Sequence, residues 1–197
     1  MKILVIGLGG IGSHLIHEIA EAVVQGQVDI DVIFDIADGD MVECNNTKFQ
    51  NFKEEDIGKN KAQSLAKRYK DDMLIKNAIK ERIIEEKQLK GYDLIICCAD
   101  NTPTRDLLFR YCHKNNIQFI DLRARGRYIM AFQRSNDLRT DLDTLDLGDT
   151  IAGSCQTQED LDRGIIQKGN KIVAVIGCQM LLNDLRGIQN SKILMRI

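Results

Sequence analysis

Glycines at positions 7, 9, 10 and 12 are the first residues in the chain whose spacing suggests chemistry. The apolar run KILVIG breaks into GLGGIGS. Apolar residues then follow at Ile11, Leu15, Ile16, Ile19 and Val23, the spacing of one helix face. A G-x-G-x-x-G turn between a strand and a helix brings bare backbone N–H groups and the positive end of a helix dipole to one point, a place where a phosphate can rest. Gly7, Gly9, Gly10 and Gly12 are expected to hold a nucleotide, with the Ser13 hydroxyl at the start of the helix. The alternative is a tight turn with no ligand.

Further polar residues fall where strands are expected to end: Asp38-Gly39-Asp40, Asn46, Gln50, Lys61 and Asp100-Asn101. A dinucleotide-dependent oxidoreductase needs an acid ~20 residues past the turn and a hydride-handling site. Asp35 or Asp38 meets the first need. His14, His17 and His113 read as solvated helix residues, so nothing clearly meets the second. An NAD-dependent oxidoreductase is kept as an alternative.

These residues need a scaffold, and the chain supplies alternating strands and helices. VDIDVIFDIA is a second strand, followed by a loop from Asp38 to about Gly58. KNKAQSLAKRY, at 59–69, has helical spacing, and MLIKNAI reads as a third strand. YDLIICCAD is an almost continuous apolar strand, after which Asn101 or Thr102 can cap a helix with Pro103 in its first turn. QFIDLRA and RYIMAFQ are two more strands. An apolar helix from about Gly164 to Leu185 and the strand SKILMRI close the chain. Strands buried on both faces predict an α/β fold: a Rossmann-like, doubly wound, mostly parallel sheet with helices on both faces. Residues 135–163 are polar, acidic and too long for an ordinary connection, and are expected to form a crossover or lid.

The 197 residues suit one domain, 1–197. With 27 basic and 29 acidic side chains the net charge is −2, so no bulk field favours nucleic acid or anionic lipid. No apolar run approaches the ~20 residues of a membrane span, no export signal is legible, and a cytoplasmic location is expected. The 6 cysteines contain no C-x-x-C pair and read as reduced, mostly buried thiols.

Taken in order, GLGGIGS at 7–13, DGDMVECNNTKFQ at 38–50, GKNKA at 58–62 and ADNTPTR at 99–105 resemble the ThiF/MoeB/HesA family of adenylating enzymes, related to the adenylation domains of ubiquitin-activating enzymes. The family pattern is GxGGxGS, D-x-D-x-V-E-x-S-N-L-x-R-Q, G-x-x-K-A and an Asp-Asn pair at a strand end. The resemblance covers about the first 110 residues. It implies an ATP-dependent adenylyltransferase that joins AMP to a carboxylate, the C-terminus of a small ubiquitin-like or sulfur-carrier protein or a peptide, and releases pyrophosphate. Asp38 would hold the ribose hydroxyls and Lys61 the phosphates. Asp100 would bind Mg²⁺, and Asp40, Asn46, Gln50 and Asn101 would complete the nucleotide site. A homodimer is implied as well.

Departures from the pattern carry their own expectations. Phe49 stands where the family has a phosphate-contacting arginine, and Asn45 where it has serine. A guanidinium's bidentate bonds are lost at Phe49. Lys48, or Arg123, Arg125 and Arg127 of RARGR, are candidate substitutes. A degenerate nucleotide-binding or scaffold relative is the second alternative. Cys155, in a polar stretch, is the candidate reactive thiol, although Glu159 and Asp160 would raise its pKa. Without C-x-x-C pairs no zinc is expected. The acidic run Asp137, Asp141, Asp143, Asp146 and Asp149 reads as a solvated loop face. The chain starts at its first strand, so the N-terminal helices frequent in the family are expected to be absent.

Overall fold

The computed structural model describes residues 1–29, 31–73, 75–125, 128–135, 141, 162–165, 168–190 and 192–196. Cys155, Arg127 and most of the expected 135–163 crossover lie outside them.

The strands are β1 (Lys2–Ile6), β2 (Ile33–Ala37), β3 (Ile75–Ile79), β4 (Leu94–Cys97), β5 (Gln118–Arg125), β6 (Tyr128–Gln133) and β7 (Ile193–Arg196). They form one sheet in the order β3-β2-β1-β4-β5-β6-β7. The strands from β3 through β5 run parallel, while β6 and β7 are antiparallel additions. This is the Rossmann-like, mostly parallel architecture expected.

Alternation along β1 shows why the strands read as uninterrupted apolar runs. Ile3 and Val5 join one core, and Leu4 and Ile6 join the other, on the opposite face. The first core holds α1 (Gly10–Val24) through Leu15, Ile16 and Ile19, and α4 (Gly169–Leu185) through Val173, Leu181 and Leu182. The second holds α3 (Thr102–Asn115) through Leu108, Phe109 and Cys112. The short helix α2 (Lys61–Arg68) packs on β2 and β3. At Gly177 a Cβ would lie 2.3 Å from Leu122 Cδ1, so glycine lets α4 settle close onto β5.

Several local expectations need correction. α4 starts at Gly169, not Gly164, which has φ +70° and lies ahead of the helix. β3 starts at Ile75, so Met73 packs in the core before the strand begins. His14 is not solvated. It is 7% exposed and its Nε2 donates to the Phe49 carbonyl at 3.2 Å. Asp141 is also buried, 3.0 Å from His113 Nε2 and holding the Ser135 N–H and hydroxyl at 2.8 Å each. The other acids of that run lie outside the described residues. No helix among the described residues is long and apolar enough to cross a membrane.

Candidate functional site

The sheet order reverses between β1 and β4, and in such folds ligands occupy the crevice at the carboxyl ends of the strands beside that switch. A cleft of about 460 Å³ opens there, within the usual range for a small-molecule site. Gly7, Gly9 and Gly10 border it after β1, Asp38 and Asp40 after β2, and Asp100 and Asn101 after β4. Lys61 enters from the start of α2 and Gln50 from the loop between β2 and α2. The four sequence stretches therefore converge on one cleft.

The glycine turn is fixed by close approach. Gly7 has φ +85°, and a Cβ there would sit 2.6 Å from Ala99 N, where the chain leaving β1 crosses the end of β4. Gly12 serves packing and not the cleft: its Cβ would strike the Gly7 carbonyl at 2.0 Å. The Asp38 carboxylate ties the turn to the following loop, with Oδ2 accepting Leu8 N–H at 2.6 Å and Oδ1 accepting Asp40 N–H at 2.8 Å. Burial raises the Asp38 pKa, against the lowering effect of those N–H groups and of Lys61.

Lys61 is placed by its neighbour. Asn60 caps α2 by accepting Gln63 N–H, and its amide donates to the carbonyls of Asp38 at 2.8 Å and Asp40 at 3.1 Å. The Lys61 side chain is only 9% exposed, with Nζ 3.7 Å from Asp40 Oδ2. The other oxygen of Asp40 binds Arg82 at 2.9 Å. Arg82, first among the causes, then Lys61 lower the Asp40 pKa against the effect of its burial. Asp100, three residues past the end of β4, has an exposed carboxylate with no ion pair among the described residues. One free carboxylate is enough for Mg²⁺, which takes most of its ligands from substrate phosphates and water. Asn101 spends its Oδ1 capping α3 through Thr104 N–H at 2.9 Å.

Other expected residues stand outside the cleft lining. Ser13 is fully buried, and its hydroxyl accepts Asn51 N–H at 2.9 Å, pinning the loop to α1. Asn46 closes a capping box, accepting Glu43 N–H at 2.9 Å. Lys48 is exposed away from the cleft, while Arg123 is buried with Nε 2.7 Å from Asp121. Phe49 does border the cleft, and the one guanidinium among the described lining residues is that of Arg82.

Arg82 and Asn170 also line the cleft, and Arg105 lies buried behind it. Arg105 is buried, with Nε 2.8 Å from Asp121 Oδ1 and a second nitrogen on the Ala99 carbonyl, so it fixes the strand end that carries Asp100. It belongs to the ADNTPTR stretch, which could have signalled it. Arg82 and Asn170 carry no motif. Asp35, a ribose candidate for a dinucleotide, is instead bound mid-strand by Lys2 at 2.9 Å, Tyr92 at 2.7 Å and Asn77 at 2.9 Å.

The ThiF family model matches residues 1–195. The chain belongs to the ThiF family. It is 29% identical over 130 residues to the tRNA threonylcarbamoyladenosine dehydratase of Haemophilus influenzae, a match covering 63% of this chain and 48% of that protein. Crystal structures of E. coli MccB with ATP (TM-score 0.74, 16% identity) and of PaaA (TM-score 0.70, 15% identity) share the fold over 100% of this chain and 60% of each of theirs. The chain thus spans about half the length of the curated relative.

Proposed function

We propose that this ThiF-family chain is an ATP-dependent adenylating enzyme that joins AMP to a carboxylate at the C-terminus of a small protein or peptide. The observation that carries the reading is Lys61: a buried cation, its ammonium 3.7 Å from Asp40, in the same cleft as the glycine turn and Asp100. A lysine held this way suits a polyanion, and burial strengthens its field. Crystal structures of the similar MccB with ATP and with the peptide MccA support the choice of nucleotide and of substrate class.

In this reading the glycine turn and Lys61 hold the triphosphate and Asp38 holds the ribose. The carboxylate oxygen attacks the α-phosphorus while the bond to the β-phosphate oxygen breaks, giving acyl-adenylate and pyrophosphate. Lys61 neutralises charge on the phosphates as they separate. Asp100 would hold Mg²⁺, which supplies charge neutralisation for the leaving pyrophosphate. A homodimer belongs to the proposal and has the exposed Ile172 and Val175 of α4 available as apolar surface.

Radiolabelled pyrophosphate exchange into ATP, run with candidate peptides and small proteins, tests the reading. Exchange that depends on the partner's free C-terminal carboxylate is expected. ATP binding without exchange for any partner would instead select the degenerate relative that Phe49 suggests. A separate thiol step at Cys155 predicts that Cys155→Ala retains exchange and loses transfer; full transfer would eliminate the step.

A further inference from the structure

Four helices begin at this cleft; Asn60 caps α2 and Asn101 caps α3, whereas the N-cap residues of α1 and α4 make no side-chain cap. α1 starts at Gly10 after Gly9, and α4 at Gly169 after Lys168, and among the described residues no cap side chain bonds their first N–H groups. The two helices pack against each other, and both Gly10 and Asn170 border the cleft. Their contact is close. A Cβ on Gly10 would fall 2.1 Å from Nδ2 of Asn170, so the missing side chain of the glycine is the space the amide occupies.

Asn170 is 6% exposed, and its amide has no hydrogen-bond partner among the described residues. Buried amides are normally paired, and one aimed into a cleft without a partner points to a ligand. Lys168 and Lys171 flank it, and both add positive charge felt at His14 on α1. On this side of the cleft the chain thus offers the N-terminal ends of two helices and one donor amide, suited to an anion of more than one charge.

We propose that Asn170 and the N-terminus of α4 form a second phosphate-binding element, donating to non-bridging oxygens of the nucleotide's polyphosphate alongside the glycine turn. The inference rests on the adenylation reading and deepens it. It supplies the positive end of a helix dipole and a hydrogen-bond donor at a cleft that Phe49 lines in place of a guanidinium.

Calorimetric titration of the parent, Asn170→Ala and Asn170→Asp with ATP and with adenosine, alongside urea unfolding, tests it. An acid at the second position of a helix favours the helix, so a purely structural role predicts that Asn170→Asp is as stable as the parent, or more so, and binds ATP normally. The phosphate role predicts the opposite for the ligand. ATP affinity falls about ten-fold in Asn170→Ala and about a hundred-fold in Asn170→Asp, adenosine affinity is unchanged, and stability is retained. ATP affinity within about two-fold of the parent in both variants, or equal losses for ATP and adenosine, would overturn the inference. A parent that binds no ATP would instead remove the adenylation reading on which it stands.

Discussion

The ammonium of Lys61 and the carboxylate of Asp40 face each other at 3.7 Å, the lysine almost wholly buried and the aspartate half exposed. Asp40 thereby holds a cation inside the cleft that a triphosphate can take over. Arg82, on the other oxygen of Asp40, keeps that carboxylate ionised. Lys61→Met keeps the apolar stem and removes only the charge. It is expected to lower partner-dependent pyrophosphate exchange about a hundred-fold with little change in urea midpoint.

Arg82→Ala leaves Asp40 with Lys61 alone. The Asp40 pKa lies below 3.8, and its titration, followed by carboxyl-carbon NMR, is expected to move upward in the variant. The stability Asp40 contributes is present above pH 3.8 and is lost as pH falls through its lower folded-state value, so the variant should lose it earlier on acidification. The exposed pair makes the stability effect small.

His14 gives the fold a dependence on pH nearer neutrality. Burial, the largest cause, lowers its pKa below 6.5, with Lys171, His17 and Lys168 adding to it and the Phe49 carbonyl opposing. The stability contributed by its neutral form is complete above pH 6.5 and declines as pH falls toward and through the folded value. Urea midpoints measured from pH 7.5 to 5 should fall for the parent and fall less for His14→Gln.

Arg105→Met is expected to cost about 3 kcal/mol in urea unfolding, because it strips one of two guanidinium groups from the fully buried Asp121. It also releases the Ala99 carbonyl, so exchange activity at Asp100 should drop by more than the loss of folded protein explains.

The parts of this architecture that were legible in the sequence are those written locally. The strand, glycine turn and helix at the start, the continuous apolar strand shortly before Asp100, and the Asn101 cap each depend on neighbours within a few residues. Asn170 and Arg82 were illegible because chain topology alone brings them to the cleft: one starts a helix after a long polar segment, the other follows β3. The burial of His14 is not legible because its spacing on α1 does not reveal that the 38–58 loop reaches it through Phe49, with Asn51 tying the same loop to Ser13. Ser13 and Asn46 fit a motif by type, yet their bonds hold loop backbone.

The most direct test of the central claim is a crystal structure of the chain with Mg²⁺ and a non-hydrolysable ATP analogue. The account predicts phosphates on the Gly9–Gly10 backbone with Lys61 Nζ in contact, the ribose beside Asp38, and Asp100 on the metal. Phosphates lodged away from the glycine turn, or Lys61 still turned to Asp40 with no phosphate contact, would contradict it.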